Sequence, residues 1–189
     1  MKELSMRILD NDKVWDFVRK NENPLMMSGH IGTHIDVYNK TLIPENYIER
    51  RTITIDCRNY DLNREIGIEI LEDYKIIEGD FVIFFTDIQK ENGYGSEIYI
   101  KNHYQLSWEL INELLKRKVS FIGIDCAGIR RGEEHIITDK KCEDNQTYVI
   151  ENLDSNALKD MNSVEETLII WYRIPLMTGL PVRIFKKEK

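Results

Sequence analysis

Short apolar runs separated by polar connections occupy most of the chain. Thr52-Ile53-Thr54-Ile55-Asp56-Cys57 alternates and is rich in β-branched residues, which predicts a strand. Phe81-Val82-Ile83-Phe84-Phe85, between Asp80 and Thr86, is continuously apolar, as in a strand buried on both faces. Ser107 reads as an N-cap, with Trp108, Ile111, Leu114 and Leu115 following on one helical face, so a helix is expected over 107–118. Val119 to Asp125 predicts a second buried strand, and Thr147 to Glu151 a strand that ends in a carboxylate. Thr167 to Ile174 and Val182 to Phe185 are the last two expected strands. The strand-helix-strand unit from Phe81 to Asp125 favours parallel pairing, and the final strands favour antiparallel pairing. The expected fold class is therefore α/β, a mixed sheet with barrel-like curvature.

A length of 189 residues with 42% hydrophobic content supports one domain over 1–189 and is too little to argue for two. No internal repeat or low-complexity segment divides the chain. The apolar runs fall well short of the roughly 18 to 20 residues needed to span a bilayer. Met1 to Asp10 has no apolar h-region, so the expectation is a cytoplasmic protein without a membrane partner. The net charge of −7 argues against nucleic acid, and Arg50 with Arg51 is too small a basic cluster to reverse that. Cys57, Cys126 and Cys142 are odd in number, widely spaced and without a CxxC pair, so they read as reduced thiols.

The chain has four histidines, and two of them fall in Gly29-His30-Ile31-Gly32-Thr33-His34-Ile35-Asp36. In an extended chain His30, His34 and Asp36 share one parity and project to one side. Gly32 between them would leave room for an ion. Two neutral imidazoles and a carboxylate suit a divalent transition metal. Spacing does not fix the reaction, because His34, Asp36 and the distant His135 also fit a 2-His-1-carboxylate iron site. His135 on its own, in Arg130-Arg131-Gly132-Glu133-Glu134-His135, reads as a solvated loop histidine. Glu151 ends an apolar strand, where a carboxylate is either a metal ligand or partly exposed.

The motif His-x-Gly-Thr-His-x-Asp resembles the signature of the cyclase family of metal hydrolases, which includes bacterial kynurenine formamidase and isatin hydrolase. Gly123-Ile124-Asp125, Val149-Ile150-Glu151-Asn152-Leu153 and Gly179-Leu180-Pro181-Val182-Arg183 are similar to further segments of that family, in the same order. The resemblance implies a swivelling β/β/α domain, normally a homodimer or larger. It implies a first metal on His30, His34 and Asp36, with Asp36 bridging to a second held by His135 and Glu151. Zn2+ or Mn2+, one or two ions per site, would be the cofactor, and a small amide, formamide or ester the substrate, with arylformamide hydrolysis as the best-known example.

Two departures stand out. The family motif continues Asp-x-Pro-x-His, whereas this chain has Asp36-Val37-Tyr38-Asn39-Lys40, and the segment before His30 is short. Lys40 thus stands where the family places a proton-shuttling histidine. It could donate a proton if its pKa were lowered by burial and nearby cations, bind a substrate carboxylate, or be a solvated lysine. His103 is a candidate substitute at the substrate, and Arg130 and Arg131 could clamp an anionic substrate. The leading expectation is a metal-dependent hydrolase. The alternative is a non-catalytic metal- or ligand-binding relative.

Overall fold

The computed structural model describes residues 1–9, 11–20, 22–23 and 29–188. The strands are β1 (Lys2–Glu3), β2 (His34–Asp36), β3 (Glu49–Asp56), β4 (Phe81–Phe85), β5 (Phe121–Ile124), β6 (Tyr148–Glu151), β7 (Val164–Trp171) and β8 (Gly179–Lys186). The helices are α1 (Val14–Lys20), α2 (Glu97–Lys101), α3 (Trp108–Lys116), α4 (Glu133–Asp144) and α5 (Ser155–Leu158). The strands pair in the order β1-β8-β2-β6-β5-β4-β3-β7, and β7 returns to β8. That return closes a mixed barrel, with β1 outside the ring on the second half of β8. Pairing is parallel for β3–β4, β4–β5 and β5–β6, and antiparallel where β2, β7 and β8 close the circle. The expected mixed α/β sheet with barrel-like curvature is what forms.

Alternation along the strands sorts side chains into two apolar layers. Ile35, Phe81, Ile83, Phe121, Tyr148, Ile150, Ile169, Val182 and Ile184 fill the barrel interior. Phe121 sits at its centre, edge-on to Tyr47, Phe81 and Trp171 with ring centroids 5.5, 5.7 and 6.5 Å away. Ile53, Ile55, Val82, Phe84, Ile122, Ile124 and Val149 point outward and are covered by Leu110, Ile111 and Leu114 of α3 and Cys142 of α4. β4 and β5 contribute to both layers, which is why β4 shows no alternation in the sequence.

Helix α3 follows the expected pattern. Its N-cap, the Ser107 hydroxyl, accepts from the Leu110 amide at 3.1 Å. Helix α4 was not expected, and His135 lies on it, not in a loop. Its buried face is Thr138, Asp139, Cys142 and Glu143, while Ile136 and Ile137 are exposed. An apolar stripe therefore never marks it in the sequence. β7 begins three residues before Thr167 and ends at Trp171, because Glu165, Thr167 and Ile169 are the inward positions. Among the described residues, no helix is long and apolar enough to cross a membrane. Cys57, Cys126 and Cys142 are all buried free thiols.

Candidate metal centre

The site forms on the outer face of the barrel, between strands β2 and β6 and helix α4. β2 and β6 pair with His34 opposite Glu151, so alternation sends His34, Asp36 and Glu151 outward while Ile35 and Ile150 enter the core. Helix α4 lies against β6 and presents His135 and Asp139, one turn apart on the same face.

His30 arrives by a different route from the one its parity predicts. β2 begins only at His34, and Gly32 turns the chain with φ of +65°. A Cβ at Gly32 would meet the Ile8 side chain at 3.0 Å. The glycine thus serves a left-handed turn packed on Ile8, not room for an ion. The Tyr94 hydroxyl accepts from the Gly32 amide at 2.8 Å, and the Asn152 side chain donates to the Gly32 carbonyl at 3.1 Å. Thr33 donates to the Asn152 carbonyl at 2.6 Å, tying the turn to the end of β6.

The donor atoms converge. His30 Nδ1 lies 3.2 Å from His34 Nε2 and 3.1 Å from Asp36 Oδ1, and His34 Nε2 lies 3.5 Å from that same oxygen. Next to this group, His135 Nε2 is 3.9 Å from Asp36 Oδ2, 3.2 Å from Asp139 Oδ2 and 3.3 Å from Glu151 Oε1. His34 Nε2 and Glu151 Oε2, 3.6 Å apart, link the two groups.

The outer nitrogens fix the imidazoles. His34 Nδ1 is 2.9 Å from the Gly32 carbonyl, which only a protonated Nδ1 can satisfy, leaving a lone pair on Nε2. His30 Nε2 meets the Thr178 hydroxyl at 3.0 Å, leaving Nδ1 to face the cluster. Ligating histidines are commonly held this way. Both oxygens of Asp36, Oδ2 of Asp139 and Oε1 of Glu151 are buried without a hydrogen bond. Such groups are costly unless a cation joins them. Burial opposes ionisation of Asp36, but the imidazoles of His34 and His30, when protonated, outweigh it and hold the carboxyl below the usual range. Burial, and then the charge of Asp36, pushes Glu151 and Asp139 well up. A divalent cation would supply the charge that ionises both. His30, His34 and Asp36 form one group able to hold a metal ion, and Asp36, His135, Asp139 and Glu151 form a second, so these residues fit the metal that the motif implies.

A cavity of about 460 Å³ opens over the cluster, walled by His30, His34, Tyr38, Tyr94, Ile100, His135 and Ile136. Tyr38, which stands where the family motif has proline, stacks on His30 at 5.8 Å and meets His135 edge-on at 6.4 Å. The sequence marks Tyr38 only as a departure from the family motif, and it gives Asp139 no role. Tyr38 carries the right parity after Asp36, and Asp139 stands four residues after His135, a signal visible only once α4 is recognised.

The other expected site residues lie elsewhere. Lys40 is exposed and outside the cavity wall. It sits at φ of +57° in a turn that the buried Glu143 carboxylate fastens by accepting from the Asn39 amide at 2.6 Å and the Thr41 amide at 2.7 Å. Arg130 is 5% exposed and committed to Glu65 at 2.6 Å, the Leu106 carbonyl at 2.8 Å and Glu134 at 2.9 Å. Arg131 donates to the Leu62 carbonyl at 3.2 Å. His103 is buried against the Tyr104 carbonyl at 2.8 Å, and burial pushes its pKa down to about 4, so it is neutral at pH 7. None of these four lines the cavity. Arg130 is absorbed by local ion pairs and a carbonyl, and His103 is held inside by burial and the Tyr104 carbonyl.

The His30 turn also depends on a close backbone approach. A Cβ at Gly179 would lie 2.7 Å from the Gly29 carbonyl and 2.8 Å from the His30 ring. Gly179→Ala is therefore expected to displace His30 and weaken divalent-metal affinity by about 10- to 100-fold, as loss of a supporting contact does. Calorimetric titration measures this, and unchanged affinity would show that His30 is not held by that contact.

The family model described as "Putative cyclase" matches residues 2–130, more than half of the chain, so His135 and Glu151 lie beyond the matched span. No curated protein gives a significant match. A solved structure described as a "Potential Metal-Dependent Hydrolase With Cyclase Activity" has a TM-score of 0.74 at 21% identity, over 99% of this chain and 98% of that one. A "predicted metal-dependent hydrolase" from Bacillus stearothermophilus has a TM-score of 0.70 at 20% identity, covering 97% of this chain and 96% of that one. Isatin hydrolase A from Labrenzia aggregata has a TM-score of 0.70 at 19% identity, covering 82% and 72%. At these identities the likeness is one of fold, and it extends the sequence match along the barrel to the C-terminal strands. The chain belongs to the cyclase family.

Proposed function

We propose that this protein is a metal-dependent hydrolase acting on the carbonyl of a small amide, formamide or ester, of the arylformamidase type. The observation that carries the reading is the convergence of two oriented imidazole nitrogens and several unpaired buried carboxylate oxygens on the floor of an open cavity. A divalent cation held there would supply Lewis acidity for ionising water near neutral pH and polarising a carbonyl. His30, His34 and Asp36 would hold it, and Asp36, His135 and Glu151 would hold a second. Tyr38, Tyr94, Ile100 and Ile136 wall the space above and would pack against an apolar substrate. An iron centre on His34, Asp36 and His135 alone would leave the inward-facing His30 Nδ1 unused. Zn2+ or Mn2+ as cofactor, a cytoplasmic location and a homo-oligomeric state belong to the same proposal.

The test is a hydrolysis screen of the zinc and manganese forms against formamides, esters and lactams. Turnover that is lost in His34→Ala supports the enzyme. Tight metal binding without turnover across the panel favours the non-catalytic relative. Lys40 sits outside the cavity, so Lys40→Met is expected to change kcat/KM by less than about threefold, the range of surface substitutions. A loss beyond tenfold would return Lys40 to the chemistry.

A further inference from the structure

We propose that Asp139 is a fourth ligand in the second half of the metal centre. It would make that half a harder, oxygen-rich site than the half built on His30 and His34. The proposal rests on the hydrolase reading above, and it concerns a residue to which the motif resemblance gives no role.

Three observations carry it. Asp139 is 3% exposed, and its Oδ2 has no hydrogen-bond partner. That oxygen lies 3.2 Å from His135 Nε2, the same nitrogen that Glu151 Oε1 approaches at 3.3 Å and Asp36 Oδ2 at 3.9 Å. One donor atom from each of the four residues falls within 4.8 Å of the others, a spacing that a single ion can span. The local sequence explains the placement, since positions 135 and 139 are one helical turn apart on α4 and face β6 together. A structural aspartate at such a depth ordinarily accepts from amides or hydroxyls. Asp125 shows the contrast within this chain, accepting from the Thr86 amide at 2.9 Å, the Thr86 hydroxyl at 2.7 Å, the Asp87 amide at 2.8 Å and the Ser155 hydroxyl at 2.6 Å.

Ligand chemistry then separates the two halves. His30, His34 and Asp36 offer two nitrogens and one carboxylate, a set that suits zinc. His135 with Asp36, Asp139 and Glu151 offers one nitrogen and three carboxylates, a set that favours Mn2+ or another oxygen-preferring dication. Asp36 belongs to both groups and would bridge them. The centre is thus built to discriminate between two kinds of metal.

The test uses chelator-stripped protein supplied with Zn2+ and Mn2+ singly and together. Bound metal is counted by mass spectrometry, and bound Mn2+ is followed by electron paramagnetic resonance. Wild type should take up both metals together. Asp139→Asn should keep zinc while its Mn2+ dissociation constant rises at least about tenfold, the smallest effect expected on losing a ligand. Asp139→Glu, which keeps a carboxylate, should recover part of that loss and serves as the comparison if Asp139→Asn does not fold. Unchanged Mn2+ affinity in the folded variants would overturn the role of Asp139 and leave the hydrolase reading standing. No binding of either metal by wild type would overturn both.

Discussion

Replacing His34 with alanine is expected to lower divalent-metal affinity by more than about 100-fold, and any hydrolase turnover with it. The size follows from position. Changing a supporting contact around a metal typically costs 10- to 100-fold, and His34 is a direct candidate ligand. Its Nε2 lies within 4 Å of the His30 ring, Asp36 and Glu151, so it touches both halves of the cluster. The fold should survive, because His34 projects away from the barrel interior. Calorimetric titration of zinc into wild type and variant, with circular dichroism as a control for folding, measures the effect. Equal affinities in two folded proteins would remove His34 from the centre.

Replacing Phe121 with alanine is expected to cost about 3–5 kcal/mol of stability, as large-to-small changes of buried aromatics do. Phe121 is fully buried at the middle of the barrel and touches rings from β4, β6 and β7 as well as Tyr47. Phe81, Tyr148 and Trp171 belong to strands of the closed ring and cannot collapse into the space without breaking pairing. Against a usual total of about 5–15 kcal/mol, the loss is a large share. Urea unfolding monitored by tryptophan fluorescence gives the number. A cost below about 1 kcal/mol would mean that the interior is not packed around this ring.

The strands were legible because their periodicity and β-branched content are local properties. The outline of the cluster able to hold a metal was legible too, since His34 and Asp36 alternate on one strand face and Glu151 ends an apolar strand. His30 converges as its parity suggests, yet through a left-handed turn at Gly32, which a parity count does not contain. What stayed hidden depended on partners distant in sequence. Helix α4 buries polar residues, so hydrophobic periodicity passes over it and takes His135 and Asp139 with it. Lys40, Arg130 and His103 carry reactive groups, but Glu143 turns the first outward, Glu65 and Glu134 occupy the second and burial neutralises the third. Residue type announces what a side chain can do, and packing decides whether it reaches the cavity.

Crystals grown with zinc and measured on both sides of the zinc absorption edge place the ion without assumption. An anomalous peak between His30 Nδ1, His34 Nε2 and Asp36 Oδ1, about 2.0–2.2 Å from each, is the predicted result. Density from an intact loop with no peak there, or with zinc only at surface carboxylates, would contradict the assignment of this cluster as a metal centre.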